Sequence, residues 1–235
     1  MEPLIVLIPS PLVGPSTWEP AAADLRQQNC KVVIPRLVDT ATNVMPYWEQ
    51  HAQAVWQSLR QFPESQPLVL IGHSGAGSLL PAINMICGHP TLAYLFVDAK
   101  LPHGGLSRLA EMEQTDPEQS RELRAALERG ERYPNWSDED FSEAIPEEQF
   151  RSSMLAEVRP RGLDFFTEPL PMIEEWPDAP CGYLQFSGAY TSQGQRAQRE
   201  RWLYQHCEAG HFHMLVDPTG VANQLLEMLR SLRVL

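Results

Sequence analysis

Pro67-Leu68-Val69-Leu70-Ile71-Gly72-His73-Ser74-Gly75-Ala76-Gly77-Ser78-Leu79-Leu80 is the stretch that decides how the rest of this chain is read. A run rich in Leu, Val and Ile stops at a glycine, presents one serine, and restarts as an apolar segment of helical character. Apolar residues without polar alternation predict a strand buried on both faces, as in a parallel sheet. The turn Gly72-His73-Ser74-Gly75-Ala76 then reverses strand into helix around Ser74. A serine on so tight a turn is held in a strained backbone conformation, and its neighbours two positions away must be small where helix and strand nearly touch. Gly72 and Ala76 meet that requirement.

Working outward, the same rhythm recurs. Leu4-Ile5-Val6-Leu7-Ile8 reads as an opening strand, central in a sheet because it too lacks alternation. A loop dense in Pro and Gly follows over 9–17, where Ser16 or Thr17 can cap a helix over 18–28. Lys31-Val32-Val33-Ile34 is a second strand, and residues 44–59 carry helical periodicity through Trp48, Ala52, Val55, Trp56 and Leu59. The strand before Ser74 is the third, its helix reaching about residue 86, and Leu92-Ala93-Tyr94-Leu95-Phe96-Val97 is the fourth, ending at Asp98. Strands alternating with helices predict a parallel sheet wound by right-handed crossovers.

From 101 to 179 the rhythm breaks into a polar block of Glu, Arg and Pro with short apolar clusters. It predicts a helix over 120–128 and a second capped start at Ser137. Trp136, Phe141, Phe165 and Phe166 give the block an apolar underside, so it reads as a helical lid inserted into a core made of 1–100 and 180–235. The sheet resumes at Cys181-Gly182-Tyr183-Leu184-Gln185-Phe186, followed by a helix over 193–204, a last strand near 205–207 and a closing helix over 219–232.

With 235 residues, 43% of them hydrophobic, the chain can build one large core. The net charge of −12 argues against nucleic acid and anionic membranes as partners. No apolar run approaches the ~20 residues needed to cross a bilayer. Met1-Glu2-Pro3 leads directly into the first strand, so no secretory signal is expected. Cys30, Cys87, Cys181 and Cys207 lack metal or redox spacing and are expected as reduced thiols of a cytoplasmic protein. Nothing in the sequence clusters His, Asp and Glu at metal-ligand spacing, so no metal is expected.

The Gly72-His73-Ser74-Gly75-Ala76 turn resembles the nucleophile elbow of the α/β-hydrolase family, with alanine at its last position. A second stretch, Gly210-His211-Phe212-His213-Met214-Leu215, is similar to that family's catalytic-histidine loop, and His211 occupies the matching position. The chemistry needs both, because a serine hydroxyl is a poor nucleophile until an imidazole takes its proton. The resemblance implies an acid from the loop after Phe186, yet 187–195 contains neither Asp nor Glu. Some members draw the acid from the end of the preceding strand, which makes Asp98 the candidate, with a Ser-His dyad as the alternative. For the oxyanion hole the resemblance implies the Gly75 N–H and a donor from the loop after the first strand. Pro11 has no N–H, which leaves Leu12, with Val13 next. His73, Pro11, Trp136, Phe166 and His213 are expected to wall the substrate pocket.

The order of motifs is similar to the small esterase and hydroxynitrile-lyase branch. That implies hydrolysis of a small, partly apolar ester, thioester or lactone through an acyl-serine, and it implies no cofactor. Two other classes remain open at this point: a lyase or cyclase using Ser74 and His211 for proton transfer, and a binding protein with impaired catalysis.

Overall fold

The computed structural model describes residues 1–40 and 45–235. Six strands form one wholly parallel sheet: β1 (Leu4–Ile8), β2 (Lys31–Val33), β3 (Leu68–His73), β4 (Thr91–Val97), β5 (Cys181–Gln185) and β6 (Leu203–His206). Their spatial order is β2-β1-β3-β4-β5-β6. The continuous apolar runs follow from burial on both sides. Ile5, Leu7, Val69 and Ile71 pack on one face, and Leu4, Val6, Ile8, Leu68 and Leu70 on the other. At full burial each such side chain contributes roughly 1.5–3 kcal/mol.

α1 (Glu19–Gln27) and α10 (Pro218–Ser231) cover the first face through Ala21, Ala22, Leu25, Val221, Leu225 and Leu229. α2 (Tyr47–Leu59), α3 (Leu80–Cys87) and α8 (Thr191–Arg199) cover the second. Neither Ser16 nor Thr17 caps α1, because a 3-10 turn over Pro15–Thr17 intervenes and Trp18 takes the cap position. The expected start of α2 at Val44 lies outside the described residues. α8 ends earlier than periodicity suggests, since Arg201 adopts a left-handed conformation (φ 59°) that turns the chain into β6.

Between β4 and β5 lie α4 (Arg108–Thr115), α5 (Pro117–Glu128), α6 (Glu148–Ala156) and α7 (Leu163–Thr167). α5 starts before residue 120 because Asp116 accepts from the Gln119 N–H as its cap. Ser137 opens only a 3-10 turn, Glu139–Phe141, because its N–H and hydroxyl both turn onto Asp140. α4, α5 and α7 share a small core of Leu109, Leu127, Phe165 and Phe166, against which Leu12 packs. The later part of the insertion is bonded to the core. The Arg159 N–H donates to Leu12 O at 2.9 Å, Arg161 Nη2 to Pro11 O at 3.1 Å, and the Ser16 N–H to Glu157 at 2.8 Å. α9 (His213–Val216) adds a short helix to the expected histidine loop.

Candidate active site

Strand register assembles the site. Ile8 pairs with Gly72 and Gly72 with Phe96, so Ser10, Ser74 and Asp98 each stand two residues beyond one row at the carboxyl edge of the sheet. The strand order reverses between β1 and β3, and open α/β sheets take ligands in the crevice outside such a reversal.

Within the elbow Ser74 alone takes the left-handed region, with φ 56°. Gly72 is required there, since a Cβ on it would lie 3.1 Å from the backbone of Gly77. Gly77 is tighter still, because a Cβ would come within 2.3 Å of Lys100 O. Asp98 shares the left-handed conformation (φ 41°), which tucks its carboxylate under the edge of the neighbouring strand. Such strain in non-glycine residues persists only where the surroundings over-determine it.

Asp98 is fully buried and holds His211 Nδ1 at 2.7 Å through Oδ2. Its other partners are the Phe186 and Ser187 N–H groups, each 3.0 Å from Oδ1, and the Ser187 hydroxyl, 2.7 Å from Oδ2. Burial by itself would raise this carboxyl. The hydrogen bonds from His211 and Ser187 and the backbone outweigh it and hold Asp98 below the ordinary carboxylate range. The Nδ1 contact to a carboxylate fixes the imidazole tautomer, with the proton on Nδ1 and the basic lone pair on Nε2.

The Ser74 hydroxyl meets the phenol of Tyr190 at 3.0 Å and makes no hydrogen bond to His211 in this arrangement. Tyr190 in turn stacks on His211, with ring centres 5.0 Å apart and an interplanar angle of 4°. Burial raises the Tyr190 phenol well above its ordinary value, so it stays protonated. These groups face a cavity of about 470 Å³ lined by Ser10, Pro11, Leu12, Ser74, Gly75 and His211 on the core side. Trp136, Phe141, Phe165 and Phe166 wall it from the insertion. Trp136 packs edge-on against Phe212, next to His211, so the two halves meet in an aromatic seam.

Of the expected pocket residues, Pro11, Trp136 and Phe166 line this cavity, and His73 and His213 do not. His73 is completely buried behind the elbow, where its Nε2 lies 3.0 Å from the His211 carbonyl oxygen. Burial lowers its imidazole to about 3, so it is neutral and donates that bond. It therefore ties the histidine loop to the elbow from beneath. His213 turns away onto Phe186, 5.4 Å between ring centres, as the first residue of α9. The Leu12 N–H, expected to face an oxyanion, points at Ser10 Oγ (3.4 Å), and the Val13 N–H donates to Ser10 O (3.0 Å).

Ser10, Ser187 and Tyr190 are the site residues that sequence reasoning passed over. Ser187 and Tyr190 lie in the very loop searched for an acid, where only Asp or Glu would have drawn notice. Among the described residues no three His, Cys, Asp or Glu side chains cluster to hold a metal ion. No helix of the described residues is long and apolar enough to cross a membrane.

The chain belongs to the alpha/beta hydrolase family, whose sequence model matches residues 5–224. No curated protein matches the sequence. Among solved structures, an extracellular alpha/beta-hydrolase from a Paenibacillus species superposes with a TM-score of 0.75 at 17% identity, over 96% of this chain and 98% of its own. A pyrethroid hydrolase from Sphingobium faniae gives 0.70 at 17% identity over 97% of both chains. Tomato methylketone synthase I gives 0.71 at 13% identity over 98% of this chain and 99% of its own. At these identities the likeness establishes the fold.

Proposed function

We propose that this protein is a serine hydrolase of the carboxylic-ester class, acting on a small, partly apolar ester, thioester or lactone. The observation that carries the reading is the Asp98–His211 pair at the rim of a cavity that also holds a strained Ser74. In this reading a rotation of the Ser74 side chain brings its hydroxyl from Tyr190 to His211 Nε2. The oxygen attacks the acyl carbon as Nε2 takes the proton, and Asp98 stabilises the imidazolium. The imidazolium then protonates the leaving oxygen or sulfur, giving an acyl-serine and a free alcohol or thiol. Water, deprotonated by the same nitrogen, releases the acid and restores Ser74. The insertion is read as a lid, supported by its five aromatic side chains on the cavity, Tyr133 among them.

A cytoplasmic location is part of the proposal and is supported by four free cysteines. One observation favours a second reading, a lyase or cyclase on the same site: the Ser74 hydroxyl meets a phenol rather than an imidazole. Labelling with a fluorophosphonate and turnover of p-nitrophenyl acetate, each compared with Ser74→Ala, separate the two. The hydrolase reading expects Ser74-dependent labelling and turnover, with Ser74→Ala losing about six orders of magnitude in kcat. Labelling without turnover across short-chain esters, thioesters and lactones would move the protein to the second class.

A further inference from the structure

The loop after β1 lies where a second hydrogen-bond donor to a tetrahedral oxyanion belongs, yet its backbone has little left to give. Pro9 and Pro11 carry no N–H. The Leu12 and Val13 N–H groups are both turned inward onto Ser10, one to its hydroxyl at 3.4 Å and one to its carbonyl at 3.0 Å. The Ser10 side chain is differently placed. It is 4% exposed, lines the cavity, and its Oγ lies 3.6 Å from where a Cβ on Gly75 would stand. The register sets it level with Ser74 on the adjacent strand, and neighbouring strands run about 4.8 Å apart. Its hydroxyl accepts from Leu12 and finds no acceptor among the described residues. A lone pair is thus occupied and the proton is left to point elsewhere, and the open direction beside Gly75 is the cavity.

We infer that the Ser10 hydroxyl is the second oxyanion donor, replacing with a side chain the backbone N–H that Pro11 removes. The inference rests on the serine-hydrolase reading above. When Ser74 Oγ bonds to the acyl carbon and the carbonyl π pair moves to oxygen, the Gly75 N–H and the Ser10 O–H donate to that oxygen. Both bonds strengthen as its negative charge develops. On collapse of the intermediate the charge returns to the re-formed carbonyl, and Ser10 keeps its proton throughout. The Leu12 N–H sharpens this role, because donation into Ser10 Oγ makes its O–H a better donor.

The test uses the full chain with Ser10→Ala and Ser10→Thr, each checked for native near-ultraviolet circular dichroism and thermal midpoint. With p-nitrophenyl acetate, Ser10→Ala is expected to lower kcat by about a hundred- to thousandfold with KM within about threefold, the range for losing one such donor. A trifluoromethyl ketone, which Ser74 adds to as a tetrahedral adduct, should lose affinity in parallel with kcat/KM. Binding of the product acetate should not change. Ser10→Thr, which restores a hydroxyl, should recover most of the rate. Should Ser10→Ala reduce the folded fraction, the phosphonylation rate per titratable Ser74 gives the same comparison. An active wild type beside a Ser10→Ala variant within threefold of it overturns the Ser10 assignment alone. A wild type that neither labels nor turns over removes the hydrolase reading, and the assignment falls with it.

Discussion

Two aspartate–histidine pairs sit in this molecule at the same separation, 2.7 Å, and they have opposite surroundings. Asp98 grips His211 by Nδ1 and leaves Nε2 toward a cavity, with the imidazole 26% exposed. Asp39 grips His51 by Nε2, and that imidazole is completely buried, its Nδ1 unpartnered. Asp39 also takes both terminal nitrogens of Arg161 at 2.6 Å, and this cluster packs behind Phe165, whose ring stands between it and the cavity. A short Asp–His contact is therefore not a catalytic signature. What distinguishes the first pair is a partly exposed imidazole on the cavity that also holds Ser74. Through Arg161, 122 residues further along the chain, Asp39 also joins the insertion to the core.

The sharpest break in the comparison comes from neutralising each aspartate. Asp98→Asn should cut ester turnover by about two to four orders of magnitude, through loss of the correct tautomer. Asp39→Asn should leave turnover within a few-fold and cost ~3–5 kcal/mol of unfolding free energy, because Arg161 loses its compensating charge in a buried site. Turnover rates and urea midpoints on both variants decide the matter. Equal effects on both would show that the two pairs play one role.

Acid should tell the same story on a smaller scale. Burial lowers His51 to about 4 and His73 to about 3, below the ~6.5 of an exposed histidine. The unfolded chain therefore binds more protons than the folded one below pH ~6.5. Stability held in full above that pH is lost as pH falls toward the folded values. Asp39 and Asp98, whose carboxyls are lowered, add a further loss only as pH falls below the ordinary carboxylate range. Between pH 7 and 5 the two histidines together should cost on the order of 2–4 kcal/mol, read as a falling urea midpoint. A midpoint that does not move over that range would contradict their buried neutrality.

The smallest expected effect concerns Tyr190. Tyr190→Phe removes the hydroxyl that meets Ser74 at 3.0 Å and keeps the ring stacked on His211. One neutral hydrogen bond is worth about 1 kcal/mol, and Ser74 must leave it to reach His211, so turnover and fluorophosphonate labelling should both rise roughly fivefold. A Tyr190→Phe enzyme that turns over more slowly would instead show that the phenol assists the reaction.

Legibility in the sequence followed the reach of the interactions. The strands and the turn at Ser74 were readable because burial on two faces and close backbone approach leave marks on consecutive residues. Asp98 could be named only because the family resemblance supplied a place to look after 187–195 proved empty of acids. Tyr190 and Ser10 left no such mark, since what makes them part of the site is a neighbour on another strand. His73 was misjudged for a related reason. Its place beside Ser74 in sequence suggests the pocket, but the alternation of a strand end sends it to the opposite side. The Asp39, His51 and Arg161 cluster was invisible, as each residue alone looks like an ordinary surface charge.

The bonds from Arg159 and Arg161 to Leu12 and Pro11 carry a mechanical consequence. The second half of the insertion is stitched to the floor of the cavity, so it cannot swing up like a hinged door without dragging that floor along. The geometry around Ser10 is therefore held by the same bonds that fix the insertion in place.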